Sequence, residues 1–491
     1  MSTRVELTTL ESSGLIQIAA LQPELEYLFR HALVQEAAYS SLLKQDRRTL
    51  HRAAAETILA LHPGRESELA AIVAMHLEQA GDGPRAADYL LLAGNHAIQR
   101  FANQEAIGFF TRASALSDET QVQVRLQAAI GLAKAGWAFA PSQTLIAQLD
   151  QALHAEANAP RELVTEGYFW LAFLLRIRGE TPESSATLKS ALERGAELGD
   201  ELPDAAAAAV PKALMGAFAA FSGHLRDGAR DMSQALDVIE TRGDPISAAM
   251  VANFLAGAYS RLGDFAAAEE IIGRTRRYAE RGDDIAIIDR DIAVAGFNLE
   301  RGDPEGARVA SQQCSARAED AGAFVCVVAS NVISAAACLA RDDAVAAKTA
   351  LDRGNELCRV VNFAPLRTLT YALLGSARAQ LGDMPGGLAG WDAALENARE
   401  INDRYGEALT LAGRGRSRAR IEPADLNAAL ADLDRAVELF EAMEARPALA
   451  RTLRDRANVL QRLGRSDPAG NDERESQAIG RELGLADFVT S

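Results

Sequence analysis

The chain has 491 residues, 48% of them hydrophobic and only 5% aromatic, and carries 51 Lys and Arg against 68 Asp and Glu, a net charge of −17. An acidic chain with no dense Lys/Arg run lacks the footprint of a nucleic-acid binder, and no apolar run is long enough to span a bilayer. The polar start MSTRVELTTLESSG has no apolar signal core, four cysteines without a CxxC pair fit reduced cytoplasmic thiols, and alanine-rich stretches such as Ala205–Ala209 point to close-packed helices rather than a β-sandwich.

In chain order, Leu15-Ile16-Gln17-Ile18 reads as a strand. The segment Tyr27-Leu28-Phe29-Arg30-His31-Ala32-Leu33 leads through Gln35–Tyr39 to Arg47-Arg48 and Leu50-His51. Ala74–Asp82, Ala86–Leu90 and Ala93-Gly94 continue it. From Gly179-Glu180 onward a turn signal recurs, at Gly223-His224, Gly263-Asp264, Gly302-Asp303, Asp342-Asp343, Gly382-Asp383, Ala424-Asp425 and Gly464-Arg465. The first spacing is 44 residues and the others are 40, 39, 40, 40, 42 and 40. A fixed period of this length is the sequence signature of a repeat array.

Each unit reads as two helices. SAAMVANFLAGAYSRL is broken by Gly263-Asp264, and FAAAEEIIGRTRRYAE follows until Arg281-Gly282-Asp283-Asp284. Glycine supplies the left-handed conformation that ends one helix and aspartate caps the next. Pro245, Pro304 and Pro385 sit just after turn signals, where the first turn of a helix tolerates proline.

The pattern resembles the tetratricopeptide repeat. Leu255, Ala256, Tyr259, Gly263 and Ala268 match it in one unit; Tyr371, Leu374, Gly375, Gly382, Trp391 and Ala394 match in another; Val294, Ala295, Gly302 and Ala307 match more loosely. That resemblance implies an all-α superhelix of about ten helical hairpins over residues 76–491, with a period near 40 in place of the usual 34. Residues 1–75 are similar to the winged-helix-like and linker stretch that joins the ATPase to the repeats in bacterial STAND-type ATPase and adenylate/guanylate cyclase regulators. Phe29, Arg30, His31, Tyr39, Arg48 and His51 carry that match. The ATPase's GxxxxGK[ST] loop is absent: Gly131-Leu132-Ala133-Lys134 is followed by alanine, and no cyclase aspartates have a place. The chain therefore reads as the sensor half of such a regulator, without its ATPase and cyclase domains.

The remaining chemistry-bearing residues form no recognisable reaction centre. His31 and His51 lack metal-ligand company, and His62, His76, His96, His154 and His224 are scattered. Cys314, Cys326 and Cys338, spaced by 12, and Cys358 fall at small-residue positions of the repeat frame. Asp283-Asp284 and Asp342-Asp343 lie on turn signals, where aspartate caps helices. No nucleophile elbow or catalytic triad is present, so the expectation is a chain that is not an enzyme and takes no cofactor or metal.

The expected site is the concave groove lined by the first helix of each hairpin. Counting back from the turn residues gives Ala217, Ala220 and Phe221; Asn253, Gly257, Ser260 and Arg261; Asp289, Ile292, Gly296 and Leu299; and Val332, Ala336 and Leu339. Phe221, Asn253, Ser260, Arg261 and Asp289 are the candidate ligand-binding residues. Such a lining suits a protein or peptide partner, or a small effector, with occupancy passed to an ATPase or cyclase module. The alternative is a transcription-regulator effector domain working with a separate DNA-binding partner.

Overall fold

The structure is a computed structural model, and it describes residues 3–20, 26–100, 102–118, 120–140, 142–154, 156–182, 185–200, 209–280, 284–361, 363–421 and 424–489. The turn expected at 281–283 and the alanine run at 205–208 lie outside the described residues. The chain divides into two compact units, Met1–Ala93 with Ala115–Asp118, and Gly94–Ser114 with Glu119–Ser491.

The first unit begins with α1 (Thr3–Ser12) and an antiparallel pair, β1 (Ile16–Ala20) and β2 (Glu26–Phe29), in which Ile16 faces Phe29 and Ile18 faces Tyr27. Three helices follow, α2 (Ala32–Ser41), α3 (Lys44–Leu61) and α4 (Glu66–Ala80). The core is small. Ala55, Val73, Leu77 and Ala86 are fully buried, with Ile58, Leu59, Leu69, Tyr89 and Leu116 packed around them. Helix α2 buries no residue, and Leu33 and Leu43 stand exposed. Helices α5 (Gly83–Gln99) and α6 (Asn103–Leu116) contribute to both units.

The second unit is a run of antiparallel helical hairpins. They are α7 (Val122–Gly136) with α8 (Ser142–Leu153), α9 (Arg161–Arg178) with α10 (Ala186–Asp200), and α11 (Ala209–Phe221) with α12 (Leu225–Arg242). Next come α13 (Pro245–Leu262) with α14 (Phe265–Ala279), α15 (Asp284–Arg301) with α16 (Pro304–Asp320), and α17 (Phe324–Ala340) with α18 (Ala344–Val361). The series ends with α19 (Ala364–Gln380) and α20 (Met384–Glu400), α21 (Arg404–Arg420) and α22 (Leu426–Met443), α23 (Arg446–Arg462) and α24 (Ser466–Leu483), and the short α25 (Ala486–Val489). The odd-numbered helices from α7 to α23 pack side by side as one layer, and the even-numbered ones back them. This is the all-α, tetratricopeptide-like superhelix expected from the period.

The turn chemistry follows the sequence closely. Gly263 takes φ +82 at the end of α13, and the Asp264 carboxylate accepts the Ala267 N–H at 3.1 Å. Where the turn after α17 has aspartate instead of glycine, Asp342 adopts φ +59 itself and Asp343 caps α18 through the Ala346 N–H at 3.0 Å. Asp303, Asp383 and Asp425 cap their helices in the same way, at 2.9–3.0 Å. Each such cap contributes roughly 1 kcal/mol. Inside the hairpins, small residues permit close approach. A side chain at Gly375 would meet the Gly387 carbonyl at 2.9 Å, and Trp391, fully buried beside it, donates its indole N–H to Ser376 at 3.2 Å.

The superhelix winds tightly enough for successive turns to touch. Helix α9 meets α19, and α13 meets α23, each five hairpins on. The turn glycines mark this contact. A side chain at Gly179 would strike Ala364, one at Gly223 Met443, one at Gly263 Leu483, and one at Gly302 Asp487. These turns therefore need glycine twice over, for φ and for the neighbouring layer.

Candidate ligand cavity on the inner helix layer

The odd-numbered helices enclose a cavity of about 770 Å³. All fourteen groove positions counted from the turn residues line it, from Ala217 on α11 to Leu339 on α17. One wall is apolar. Phe221 stacks edge-on against Phe254, with ring centres 5.6 Å apart, and Ile292, Val332, Leu366 and Leu369 continue the surface. Trp137 and Phe363, 6.4 Å apart, contribute further aromatic lining. Gly257 on α13 and Gly296 on α15 also line the space, and a side chain built at either would meet no atom within 4 Å.

The polar candidates differ in what they have left to offer. Ser260 is buried and its hydroxyl donates to the Ala256 carbonyl at 2.7 Å, so it is spent within its own helix. Asp289 is buried and already partnered. Asn253 is half-buried on the cavity wall, and no protein group hydrogen-bonds its amide among the described residues. Arg261 is half-buried with its guanidinium 4.3 Å over the Tyr405 ring, and the Asp403 carboxylate lies near enough to interact with it.

Around Arg261 lies a network joining helices from different turns of the superhelix. Tyr405 donates its phenolic O–H to Glu300 at 2.7 Å. Arg451 donates to the Glu300 backbone carbonyl at 2.7 Å and pairs with Asp487 at 3.0 Å, so α23 caps the C-terminal end of α15. Asp403 caps α21 through the Gly406 N–H at 2.8 Å. Burial pushes its carboxyl up to about 6, against the pull of that hydrogen bond and of the nearby Arg261 charge. Burial also drives the Tyr405 phenol well above its ordinary value, helped by Glu300. The other arginines on the cavity wall are paired: Arg416 with Asp455 at 2.7 Å, Arg420 with Asp342 at 2.9 Å, and Arg454 with Asp487 at 3.4 Å.

In the first unit the structure brings together part of the other candidate set. Tyr39 on α2 hydrogen-bonds His51 Nε2 on α3 at 3.0 Å, and His51 Nδ1 meets His76 Nδ1 on α4 at 2.8 Å. Arg47 lies over the Tyr39 ring at 5.2 Å. Burial, and then the neighbouring His51, lower the His76 pKa. Arg48 lies against Gly81. Phe29, Arg30 and His31 stand exposed at the β2–α2 junction, with His31 at the N-cap of α2 but making no side-chain cap bond.

The remaining reactive types are structurally committed. All four cysteines are buried, and burial raises their thiols, Cys314 to about 12. Lys134 pairs with Asp244 at 2.7 Å and Glu166 at 3.3 Å, tying α7 and α9 to the start of α13. Among the described residues no group of three or more His, Cys, Asp or Glu is placed to hold a metal, and no helix is long and apolar enough to cross a membrane.

No protein-family model matches the chain, and no curated protein matches it. Solved structures do. The crystal structure of Rap protein complexed with competence and sporulation factor has a TM-score of 0.56 at 13% identity, over 74% of this chain and 99% of that one. The APC/C hetero-tetramer Cut9–Hcn1 gives 0.48 at 13% identity, over 92% and 90%. A STAND protein with a tetratricopeptide-repeat sensor from Pyrococcus horikoshii gives 0.47 at 15%, over 84% of this chain and 61% of that one. The first likeness establishes the helical-repeat fold.

Counting from the turns missed Glu300 at the end of the neighbouring α15, and the partners that come from four or more hairpins further on: Asp403, Tyr405, Arg451 and Asp487. Part of that signal was present. Ten and six residues before Gly382 and Gly464, the same frame reaches Ala372 and Ser376, and Arg454 and Asn458, all on the cavity wall. The pairing of His51 with His76, 25 residues apart on facing helices, has no sequence signature.

Proposed function

We propose that this chain is a non-catalytic sensor or scaffold that binds a protein segment, peptide or small effector in the cavity of its inner helix layer, and passes occupancy to a signalling ATPase or cyclase module. The observation that carries the reading is the cavity itself: apolar, about 770 Å³, and lined by residues from seven successive inner helices. Pockets of this size, apolar with a few placed polar groups, are the usual form of ligand sites. A protein of similar fold, Rap, was crystallised in complex with competence and sporulation factor, which supports a binding role for such a superhelix. Phe221, Asn253 and Arg261 are the binding residues in this reading, with Ser260 and Asp289 as part of the wall.

Residues 1–75 serve as the linker module and 76–491 as the sensing array. The STAND-like segment, with Phe29 and Arg30 exposed, is the face offered to the ATPase or cyclase partner in the cytoplasm. Binding suits a solenoid because each repeat touches its neighbours, so a ligand contacting several inner helices changes their mutual packing.

The test is a binding screen of the purified chain against short apolar peptides and cell extracts, run beside Gly257→Phe. That variant fills the cavity from a position where a side chain meets nothing. Binding by the wild-type chain that Gly257→Phe abolishes, with helicity intact, is the expected result. Ligands that bind both chains equally would place the site elsewhere, and ATP turnover by the pure chain would end the non-catalytic reading.

A further inference from the structure

His51 and His76 stand 25 residues apart in sequence, and the packing of α3 on α4 brings their imidazoles together. Nδ1 of one ring lies 2.8 Å from Nδ1 of the other, with ring centres 5.1 Å apart and planes tilted by 44°. Both residues are half-buried, so water reaches the pair. Two like nitrogens at this distance share a single proton: one ring donates, and the other turns a bare lone pair into the space between the helices.

The other nitrogen of His51, Nε2, is held by the Tyr39 hydroxyl at 3.0 Å, and the Tyr39 ring meets the imidazole edge-on. A consistent proton arrangement has His76 Nδ1–H donating to His51 Nδ1 and His51 Nε2–H donating to the Tyr39 oxygen. In that tautomer His51 has its outer N–H fixed by an oxygen and its inner nitrogen bare, which is how metal-ligating histidines are held. Burial, and then His51, lower the His76 pKa, so at neutral pH protons do not compete for its ring. Arg47 also belongs to the cluster, lying over the Tyr39 ring at 5.2 Å. Among the described residues no carboxylate or thiol joins the two imidazoles to make a group of three. Nitrogen ligands without oxygen partners suit zinc, copper or nickel and not magnesium or calcium.

We propose that His51 and His76 bind one divalent transition-metal ion of the zinc class through their two Nδ1 atoms, with water completing the coordination and Tyr39 orienting His51 from its outer nitrogen. On binding, His76 gives its Nδ1 proton to water and takes one on Nε2, so both rings stay neutral and no net proton is released. With Zn–N bonds of about 2.0–2.1 Å in tetrahedral geometry the two nitrogens stand about 3.3 Å apart. That is roughly 0.5 Å wider than now, which small side-chain rotations supply. Two protein ligands are fewer than the three or four of catalytic and structural zinc sites, so the ion binds reversibly. It ties α3 to α4 and, through Tyr39, holds α2, which buries no residue of its own and follows directly on the exposed Phe29, Arg30 and His31. The site is independent of the cavity in the inner helix layer.

The experiment is calorimetric titration of the full chain, free of any tag and stripped with a chelator, with zinc chloride at neutral pH. One equivalent is expected to bind, and magnesium chloride is expected not to. His51→Gln and His76→Gln should each weaken zinc at least tenfold, and Tyr39→Phe by about tenfold, the usual loss when the partner behind a ligating imidazole is removed. His154→Gln, at an exposed site on α8, should leave binding unchanged. Substitution at a half-buried position can also loosen the small first unit, so the wild-type chain is loaded with Cu²⁺ and read by electron paramagnetic resonance, where two nitrogen couplings are expected. Zinc bound equally by wild type and His51→Gln would overturn the assignment to this pair, as would a copper spectrum with a single nitrogen. Zinc bound no more tightly than by free imidazole would overturn the metal site and leave the two histidines as a proton-sharing contact.

Discussion

Gly302 and Gly382 form a matched pair for measuring how much contact between superhelical turns contributes to stability. Both end a first helix, with φ +86 and +90, so alanine at either incurs the left-handed penalty of about 1–2 kcal/mol. They differ in what lies beyond. A side chain at Gly382 meets nothing within 4 Å, whereas one at Gly302 would overlap the Asp487 carboxylate. Moving Asp487 breaks its pair with Arg451 at 3.0 Å and its longer contact with Arg454 at 3.4 Å. Charge-assisted bonds of this kind contribute roughly 1.5–3 kcal/mol when partly buried. Gly302→Ala should therefore lose about 1.5–3 kcal/mol more than Gly382→Ala. Repeat arrays need not unfold in one step, so the reading is native-state hydrogen exchange in α15, α19 and α23 beside urea melts. The double variant Gly302→Ala, Asp487→Ala closes a cycle in which the excess should vanish. Equal losses at the two glycines would show that the turns do not bear on each other in solution.

Three further outcomes follow from the same structure. Gly257→Ala and Gly296→Ala, at helical positions open to the cavity, should each raise stability by about 0.5–1 kcal/mol in urea melts; a loss would mean the space there is filled. Lys134→Met should cost roughly 3 kcal/mol at pH 7, because it leaves Asp244 and Glu166 facing each other without their cation. Burial pushes the Asp244 carboxyl up, but Lys134 outweighs burial and holds it below its ordinary value. Its contribution is then present above about pH 3.9 and fades below that, so the gap between variant and wild type should narrow in acid; a constant gap would refute the pairing. Asp403, raised to about 6, keeps its proton longer folded than unfolded, so stability falls as pH rises from about 4 to 6. Asp403→Asn keeps a capping side chain and removes that fall, making it more stable than wild type at pH 7 and equal at pH 4 by thermal melts.

The hairpins were legible in the sequence because their determinants are local. Glycine followed by aspartate writes a helix end and a helix start within two residues, and α13 ends and α14 begins where Gly263-Asp264 places them. The cavity wall was legible for a related reason: inner-face positions recur at fixed offsets from each turn, so Ala217 to Leu339 could be counted without any knowledge of packing. What could not be counted is the pitch. Whether Gly302 faces solvent or Asp487 depends on small rotations accumulated over five hairpins, each set by packing of alanines and glycines. No residue in the α15–α16 turn records it. The same limit hid Tyr405 and Arg451 from Arg261.

That closure gives the cavity a physical link to the shape of the array. Arg261 belongs to α13 and its stacking partner to α21, four hairpins later, while Tyr405 is bonded to Glu300 of α15 and that helix end is capped by Arg451 of α23. A ligand that engages Arg261 and leaves the stack in place adds its binding energy to the joined state. A ligand that draws Arg261 off the ring subtracts from it. In either case the coupling is reciprocal, so a change that loosens the α15–α23 contact must alter ligand affinity by the same free energy with which the ligand alters that contact. The four turn glycines that meet the next layer thus bear on binding as well as stability, and Gly302→Ala, far from any direct ligand contact through its own side chain, becomes a test of the coupling once a ligand is in hand.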